Sequence, residues 1–264
     1  MKIHLGPTLE FYITNQCNLS CSRCNRFNDY DFQGHFYWED HARDYITWAH
    51  RIDADLITVL GGEPTLNPGL ENWISNIRTN WPNTPIMIQT NGLGQWHTKK
   101  QYYWDQYQVG FGVSAHSQNL RTKLQQNWDQ HRLVGQQSVF AAYKFSEATV
   151  VQRNGKLTVH RSDPKISFDS CTIKHSHTLF QGKLYKCPMG AVLPIFREQQ
   201  KVHLDPDQEE LLKNYHWLAS DCSDEDLELF VRSREQPIAQ CALCPEKTDW
   251  QTIELKPRSN HHWI

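Results

Sequence analysis

Residues 9–24 read LEFYITNQCNLSCSRC. Residues 9–14 are β-branched and aromatic, which predicts a strand. Cys17, Cys21 and Cys24 follow directly, in a Cys-x3-Cys-x2-Cys spacing. Three thiolates on one tight loop can converge on a single inorganic cluster and leave one corner without a protein ligand. A fourth thiolate would close that corner, whereas three leave an iron open to a small molecule. The other reading is a zinc site completed by a histidine such as His35 or His41.

Outward from this loop, strand and helix alternate. Residues 37–52 carry Tyr37, His41, Tyr45, Trp48 and Ile52 at helical spacing. Residues 56–60 (LITVL) predict a short buried strand stopped by Gly61-Gly62. Residues 68–80 predict a helix, with Asn67 as N-cap and Pro68 in the first turn. Residues 86–90 (IMIQT) predict a strand ended by Asn91-Gly92, and residues 99–107 a helix. Residues 109–114 (VGFGVS) predict a strand and residues 119–131 a helix. Repeated strand–helix units imply right-handed parallel crossovers, hence an α/β sheet or barrel. Chemistry in such folds sits at the C-terminal strand ends.

After about residue 145 the pattern changes. Residues 148–152 and 156–160 flank Asn154-Gly155, a hairpin signal. Residues 177–180 and 183–187 flank Gln181-Gly182 and predict a second hairpin. Residues 209–218 and 224–234 predict helices. Residues 256–264 read as a surface extension with His261-His262 exposed to solvent. There is no internal repeat and no low-complexity segment.

With 264 residues, the chain suits one large domain, or one domain with a small appendage. That length can bury a full core without disulfides. A charged fraction of 21% with net charge −2 argues against overall disorder and against a general basic footprint for nucleic acid. No apolar stretch has membrane-spanning length, and MKIHLGPTLEF carries no signal-peptide core. A cytoplasmic location is the expectation. In a reducing compartment, clustered cysteines more often hold metal or do redox chemistry than form disulfides.

Three more features fall at strand ends. Gly61-Gly62-Glu63-Pro64 follows the second strand: its glycines let backbone approach a ligand, and its Glu can accept from an ammonium group. Alone, such a turn is more often only a turn. Thr90-Asn91-Gly92 ends the third strand, and Ser114 and His116 end the fourth; each alone is ordinary loop chemistry. Together with the thiols they occupy four successive strand ends, where one ligand could touch them all.

At these residues, Cys17, Cys21, Cys24 and Gly61-Gly62-Glu63-Pro64, the sequence resembles the radical S-adenosylmethionine (SAM) superfamily over residues 8–150. The resemblance implies a shortened, partial TIM-type βα barrel within residues 1–160. It implies a [4Fe–4S] cluster on Cys17, Cys21 and Cys24, with the open iron chelated by the amino and carboxylate groups of SAM. By the same resemblance, Gly61, Gly62 and Glu63 hold the methionyl amino end, and Asn91 and Ser114 contact the ribose or carboxylate. One departure stands out. The residue before the last cysteine is usually aromatic and near the adenine; here it is Arg23, which is expected to offset cluster charge instead. The implied chemistry is reductive cleavage of SAM to a 5′-deoxyadenosyl radical, which removes a substrate hydrogen atom.

The remaining thiols define the expected subclass. Cys171-x15-Cys187 with Gly182 between them, then Cys241-x2-Cys244, supply four thiolates. Four suit a closed cluster or a structural zinc. Residues 161–264 resemble the twitch extension, a shortened SPASM domain, in which a β-hairpin and helices hold one auxiliary [4Fe–4S] cluster. Cys222 is surplus and is expected to be a free thiol.

Within that subclass the chain most resembles the 2-deoxy-scyllo-inosamine dehydrogenases. That resemblance implies oxidation of a small alcohol or amino-sugar, with the auxiliary cluster as electron acceptor. Arg153 or Arg161 could orient or deprotonate the hydroxyl, although arginines in surface ion pairs are far commoner. The implied partners are a small-molecule substrate and a one-electron donor such as flavodoxin or ferredoxin, with neither nucleic acid nor membrane. Two other readings stay open: radical modification of a peptide or protein side chain, and a non-catalytic zinc-stabilised binding protein. No peptide-recognition segment precedes residue 8, which counts against a leader-bound peptide substrate.

Overall fold

The computed structural model describes residues 2–93, 101–129 and 137–257. The expected helix ends at 99–100 and 130–131, and His261-His262, lie outside the described residues. The sheet strands are β1 (Thr8–Tyr12), β2 (Ile57–Leu60), β3 (Ile86–Thr90), β4 (Val109–Ala115), β5 (Gln137–Ala141), β6 (Ser176–Phe180), β7 (Lys183–Tyr185) and β8 (Trp217–Leu218). They form one eight-stranded sheet in the order β8-β7-β6-β1-β2-β3-β4-β5. From β6 to β5 every pairing is parallel. At the other edge β7 and β8 add antiparallel. This is an α/β architecture with a large, mostly parallel sheet, consistent with the expected partial barrel.

The helices are α1 (Ala42–Arg51), α2 (Leu70–Asn80), α3 (Gln101–Gln106), α4 (Gln118–Asp129), α5 (Pro164–Ser170), α6 (Pro188–Gln200), α7 (Pro206–Lys213) and α8 (Asp224–Arg232). Among the described residues no helix is long and apolar enough to cross a membrane. Strands β1 to β4 lie within a residue or two of their expected bounds, because apolar runs covered on both faces record their own length, and Gly61-Gly62 and Asn91-Gly92 stop β2 and β3. The two faces feed two cores. Leu9, Phe11 and Ile13 enter one with α1 and α2, and Tyr12 enters the other with Phe180, Met189 and Phe196.

Phe11 is fully buried among Trp38, Tyr45, Trp73 and Trp81, with ring centroids 5.5 to 6.4 Å away. Two of the buried indole N–H groups around it find carbonyls: Trp73 donates to Phe36, and Trp81 to Ile52. Trp48 donates to Gly182 at 2.9 Å, which ties the β6–β7 hairpin to α1. Gln181 and Gly182 both have positive φ, at 47° and 73°. That is the geometry a two-residue turn needs to match strand twist, and it is why Gly stands there.

Several expectations are corrected. Gly69, not Asn67, caps α2. Asn67 lies outside the helix and ties three segments together, donating to the Ile13 and Phe36 carbonyls and accepting from the Gly69 N–H. The helix expected over residues 209–218 begins earlier and ends at Lys213. It starts on an Asp205/Gln208 capping box, and Trp217 and Leu218 leave it to extend the sheet. Lys256, expected in a surface extension, pairs instead with Ser20: Leu255–Pro257 runs antiparallel to Leu19–Cys21. Helices α5 and α6 and strand β5 were not foreseen.

The hairpin near the C-terminus joins the sheet directly, because β6 pairs with β1 and sets His177 opposite Leu9. His177 is 1% exposed, packs on Phe230 and has no hydrogen-bond partner at either ring nitrogen. Burial, with Lys186, Arg234 and His175 nearby, pushes its pKa down to about 4. The imidazole is therefore neutral in the fold while the unfolded chain protonates near 6.5. Stability is full above that value and falls as pH drops from 6.5 toward 4, by about 1.4 kcal/mol per pH unit. His177→Leu should flatten urea-denaturation stabilities between pH 7 and pH 5 by about 2 kcal/mol relative to the native chain. An unchanged slope would contradict the assignment.

Candidate functional site

The C-terminal ends of β1 to β4 surround a cavity of about 220 Å³. Cys17, Cys21, Cys24, Gly61, Gly62, Asn91, Ser114 and His116 all line it. The four strand-end features read from sequence are thus brought together. The cysteine loop is held from within by the Leu19 N–H on Cys17 Sγ at 3.4 Å and the Cys24 N–H on the Cys21 carbonyl at 3.2 Å. It is held from the next strand end by Asn91, whose Nδ2 donates to Asn18 Oδ1 at 2.7 Å and lies 3.9 Å from Cys17 Sγ. Ser114 accepts from Gln89 Nε2 at 2.7 Å. His116 contacts the Ala142 carbonyl, and burial lowers its pKa.

The Gly-Gly-Glu-Pro turn does something other than expected. A Cβ on Gly61 would collide with the Thr14 carbonyl oxygen, and one on Gly62 with that of Gln16. The Gly62 and Glu63 N–H groups donate to those same carbonyls, at 2.8 and 2.7 Å. The glycines therefore let the turn lie flat against the segment that leads into Cys17, besides facing the cavity. The Glu63 carboxylate does not line the cavity; it has no exposed surface. Oε1 accepts from the Thr65 N–H, the Thr65 hydroxyl and the Thr90 hydroxyl, and Oε2 accepts from the Asn91 N–H. Burial raises its pKa against the pull of these donors. Glu63 is a brace between strand ends.

Arg23 is also corrected. Its backbone is left-handed, with φ 63°, and its guanidinium donates to the Asp249 carbonyl at 2.9 Å and lies 3.5 Å from the Asp249 carboxylate. Among the described residues, the arginine that lines the cavity is Arg26, which sequence reasoning missed. It is buried and pairs with Glu10 at 2.9 Å. The available signal was Glu10, a carboxylate inside an otherwise apolar strand. Sequence reasoning also missed the cover on the loop. Ile253 and Leu255 pack with Leu19, Cys21, Leu93 and Phe145, and Glu254 exchanges hydrogen bonds with Ser22. Burial, with the neighbouring thiols, pushes Cys21 well above its ordinary value, and burial raises Cys24.

Cys171, Cys187, Cys241 and Cys244 line a second cavity, of about 90 Å³. Cys171 ends α5, Cys187 is the N-cap of α6, and Cys244 ends the 3-10 turn Ala239–Leu243 that contains Cys241. Tyr215 Oη lies 3.0 Å from Cys187 Sγ, and the Thr149 hydroxyl 3.6 Å from Cys244 Sγ. Burial pushes Cys171 up to about 11. Lys186, 3% exposed, lines this cavity beside the thiols. Asn25 lines both cavities, so they share a wall. Three and four thiols are the donor sets of an open and a closed iron–sulfur cluster respectively. Among the described residues no three His, Cys, Asp or Glu side chains draw close enough to hold a single metal ion.

The structure does not bring Arg153 or Arg161 to either cavity. Arg153 is exposed on the hairpin of Val150–Arg153 and Lys156–Val159. Arg161 is 61% exposed and held by Asp205 and Asp207 at 2.7 and 2.6 Å. Cys222 lies 3.4 Å from an Arg51 guanidinium nitrogen, and it lines neither cavity.

No family model matches the chain, and no curated protein matches it. Among solved structures, BtrN in complex with AdoMet and 2-DOIA matches at TM-score 0.52 and 15% identity, over 96% of this chain and 95% of that one. This chain shares the BtrN fold. Native anSMEcpe with bound AdoMet and Cp18Cys peptide matches at TM-score 0.40 and 13% identity, over 53% of this chain and 44% of that one. SuiB of Streptococcus suis bound to S-adenosylmethionine matches at TM-score 0.40 and 16% identity, over 51% and 34%. The chain spans less than half the length of those two. The resemblance to radical SAM enzymes carried by the cysteine and Gly-Gly-Glu-Pro motifs holds at the level of fold.

Gly61→Ala tests the close approach. With its Cβ driven into the Thr14 carbonyl, the variant should lose about 1–3 kcal/mol of stability. Thermal unfolding checks the outcome.

Proposed function

We propose that the chain is a radical SAM oxidoreductase. In this reading it cleaves SAM reductively and oxidises a small alcohol or amino-sugar. The observation that carries the reading is the shared cavity: three thiols, the Gly61-Gly62 turn, Asn91 and Ser114 at four successive strand ends. The adjoining four-thiol cavity supports an electron acceptor next to the site of chemistry. The BtrN fold, matched over nearly the whole of both chains in a structure holding AdoMet and 2-DOIA, supports the choice of substrate class.

Cys17, Cys21 and Cys24 would hold a [4Fe–4S] cluster with one iron open to SAM, and Cys171, Cys187, Cys241 and Cys244 a closed auxiliary [4Fe–4S] cluster. When bound, these groups and SAM supply a 5′-deoxyadenosyl radical that takes the carbinol hydrogen, and an acceptor for the electron released as the ketone forms. The chain's own residues bind, orient and shield. Gly61 and Gly62 present backbone to the methionyl end, and Asn91 and Ser114 offer polar contacts. Glu63 keeps Thr90 and Asn91 in register without touching ligand. Leu93, Phe145, Ile253 and Leu255 keep water from the cysteine loop. In this division residues 1–160 would carry the SAM-binding thiols and residues 161–264 the auxiliary ones, with Ile253 and Leu255 crossing back to the first loop. A flavodoxin or ferredoxin in the cytoplasm would supply the first electron.

Anaerobic reconstitution should give roughly eight iron and eight sulfide per chain, as two such clusters require. With SAM, dithionite and 2-DOIA, the native chain should release 5′-deoxyadenosine and a ketone. Replacing Cys17, Cys21 and Cys24 by Ala should abolish 5′-deoxyadenosine. Replacing Cys241 and Cys244 should leave SAM cleavage partly intact and stop ketone formation. Colourless protein that never releases 5′-deoxyadenosine would defeat the proposal.

A further inference from the structure

Lys186 stands on the wall of the second cavity, next in sequence to Cys187. The residue is 3% exposed. Two of its three donors go to the Ser233 and Gln236 carbonyls, and its Nζ lies 5.5 Å from the centre of the Phe168 ring on α5. Among the described residues no carboxylate makes an ion pair with it. Glu235 is within electrostatic reach, but its carboxylate is taken by His175 and Arg234, at 3.6 and 3.3 Å. Cys187 and Cys241 are within the same reach. Tyr215, 7% exposed, lines this cavity too and brings its Oη to 3.0 Å from Cys187 Sγ.

A lysine is almost never fully buried without a paired charge. Two carbonyls hold the ammonium in place but supply no charge against it. The first cavity differs, since Glu10 neutralises Arg26 there. At the second, the thiols supply the negative charge once they hold metal, because ligation strips their protons. Ligation also settles the Tyr215 contact: a thiolate has no proton to give, so the hydroxyl donates to Cys187 Sγ. A buried cation and a hydrogen bond to a ligand sulfur act on an iron–sulfur cluster in the same direction. Both favour the form with one more negative charge, and a low local dielectric strengthens both.

We propose that Lys186 and Tyr215 are positioning residues that raise the reduction potential of the cluster held by Cys171, Cys187, Cys241 and Cys244, and so fit it to accept the electron of substrate oxidation. The inference rests on reading the second cavity as the auxiliary cluster site. The electron is the one a substrate radical releases as its hydroxyl proton passes to water and the ketone forms. No bond to the cluster forms or breaks.

A redox titration of the reconstituted full chain tests this, run anaerobically with dithionite and mediators and followed by electron paramagnetic resonance. Saturating SAM marks the first cluster, whose signal it should move, and leaves the second as the signal to be measured. Lys186→Gln keeps donors for the two carbonyls and removes the charge. It should cut the reduced fraction of the second cluster about tenfold at a fixed potential, a fall in midpoint of about 59 mV for one electron. Tyr215→Phe keeps the ring and removes the donor, and should cut it about fivefold. The midpoint of the first cluster should move less in both variants. A second-cluster midpoint that stays put in either variant that retains it, or an equal shift of both clusters, overturns the proposal. Loss of that cluster from both variants assigns the two residues to holding the metal and overturns it as well. A native chain with zinc at the four thiols and no second cluster signal defeats the reading of the cavity and the proposal with it. A second cluster that ignores both substitutions defeats the proposal alone.

Discussion

The Glu63 carboxylate, sealed from solvent, gathers hydrogen bonds from Thr65, Thr90 and the Asn91 backbone. Through those donors it joins the end of β2 to the end of β3. The two glycines before it press the same turn against Thr14 and Gln16, at the end of β1. Three strand ends are thus fixed relative to one another by one turn. The cysteine loop begins at the next residue, so its placement inherits that rigidity. Removing water from a carboxylate is costly unless several donors replace it. Here they do, and each donor belongs to the wall of the cavity or to the turn itself.

Around this brace the electrostatics are unusual for a protein interior. Seven thiols line two cavities that share Asn25 as a wall. Burial raises the pKa of Cys21, Cys24, Cys171, Cys241 and Cys244, so loading these thiols with a metal cluster would release protons. Each group has a buried cation beside it: Arg26 at the first, Lys186 at the second. A buried cation needs a partner, and Arg26 has one in Glu10, whereas Lys186 is held by the Ser233 and Gln236 carbonyls. The cover over the first loop comes from the far end of the described chain. Leu255 packs there, and its strand completes hydrogen bonds that the short cysteine strand could not make alone.

How much could be read beforehand varied with the range of the interaction. Strands β1 to β4 were legible as short apolar runs, two of them stopped by Gly61-Gly62 and Asn91-Gly92, and the strand ends then carried Cys17, Gly61, Asn91 and Ser114 to one side. Helix α6 was not legible, since Pro188, Gly190 and Pro194 read as breakers. Pro188 occupies the first turn, where a missing N–H costs nothing, and Met189, Val192, Leu193 and Phe196 are buried deeply enough to outweigh the rest. The helix expected to reach residue 218 stopped at Lys213, because Leu218 pairs with Leu184 on the sheet edge. Local periodicity carries no record of that partner. Asn67 shows the same limit: its residue type suited a cap, but its side chain binds carbonyls of Ile13 and Phe36, far away in sequence.

The sequence by itself determined the donor sets, their spacing, the strand–helix alternation and the strand ends where the first group would lie. These follow from residue type and short-range order. Only the tertiary structure decided which arginine faces the thiols, that Glu63 turns inward, that both cysteine groups abut at Asn25, and that Leu255–Pro257 returns to cover the first loop. Each of those outcomes depends on which distant side chain fills the space opposite, and packing density leaves a buried group one orientation once its neighbours are set.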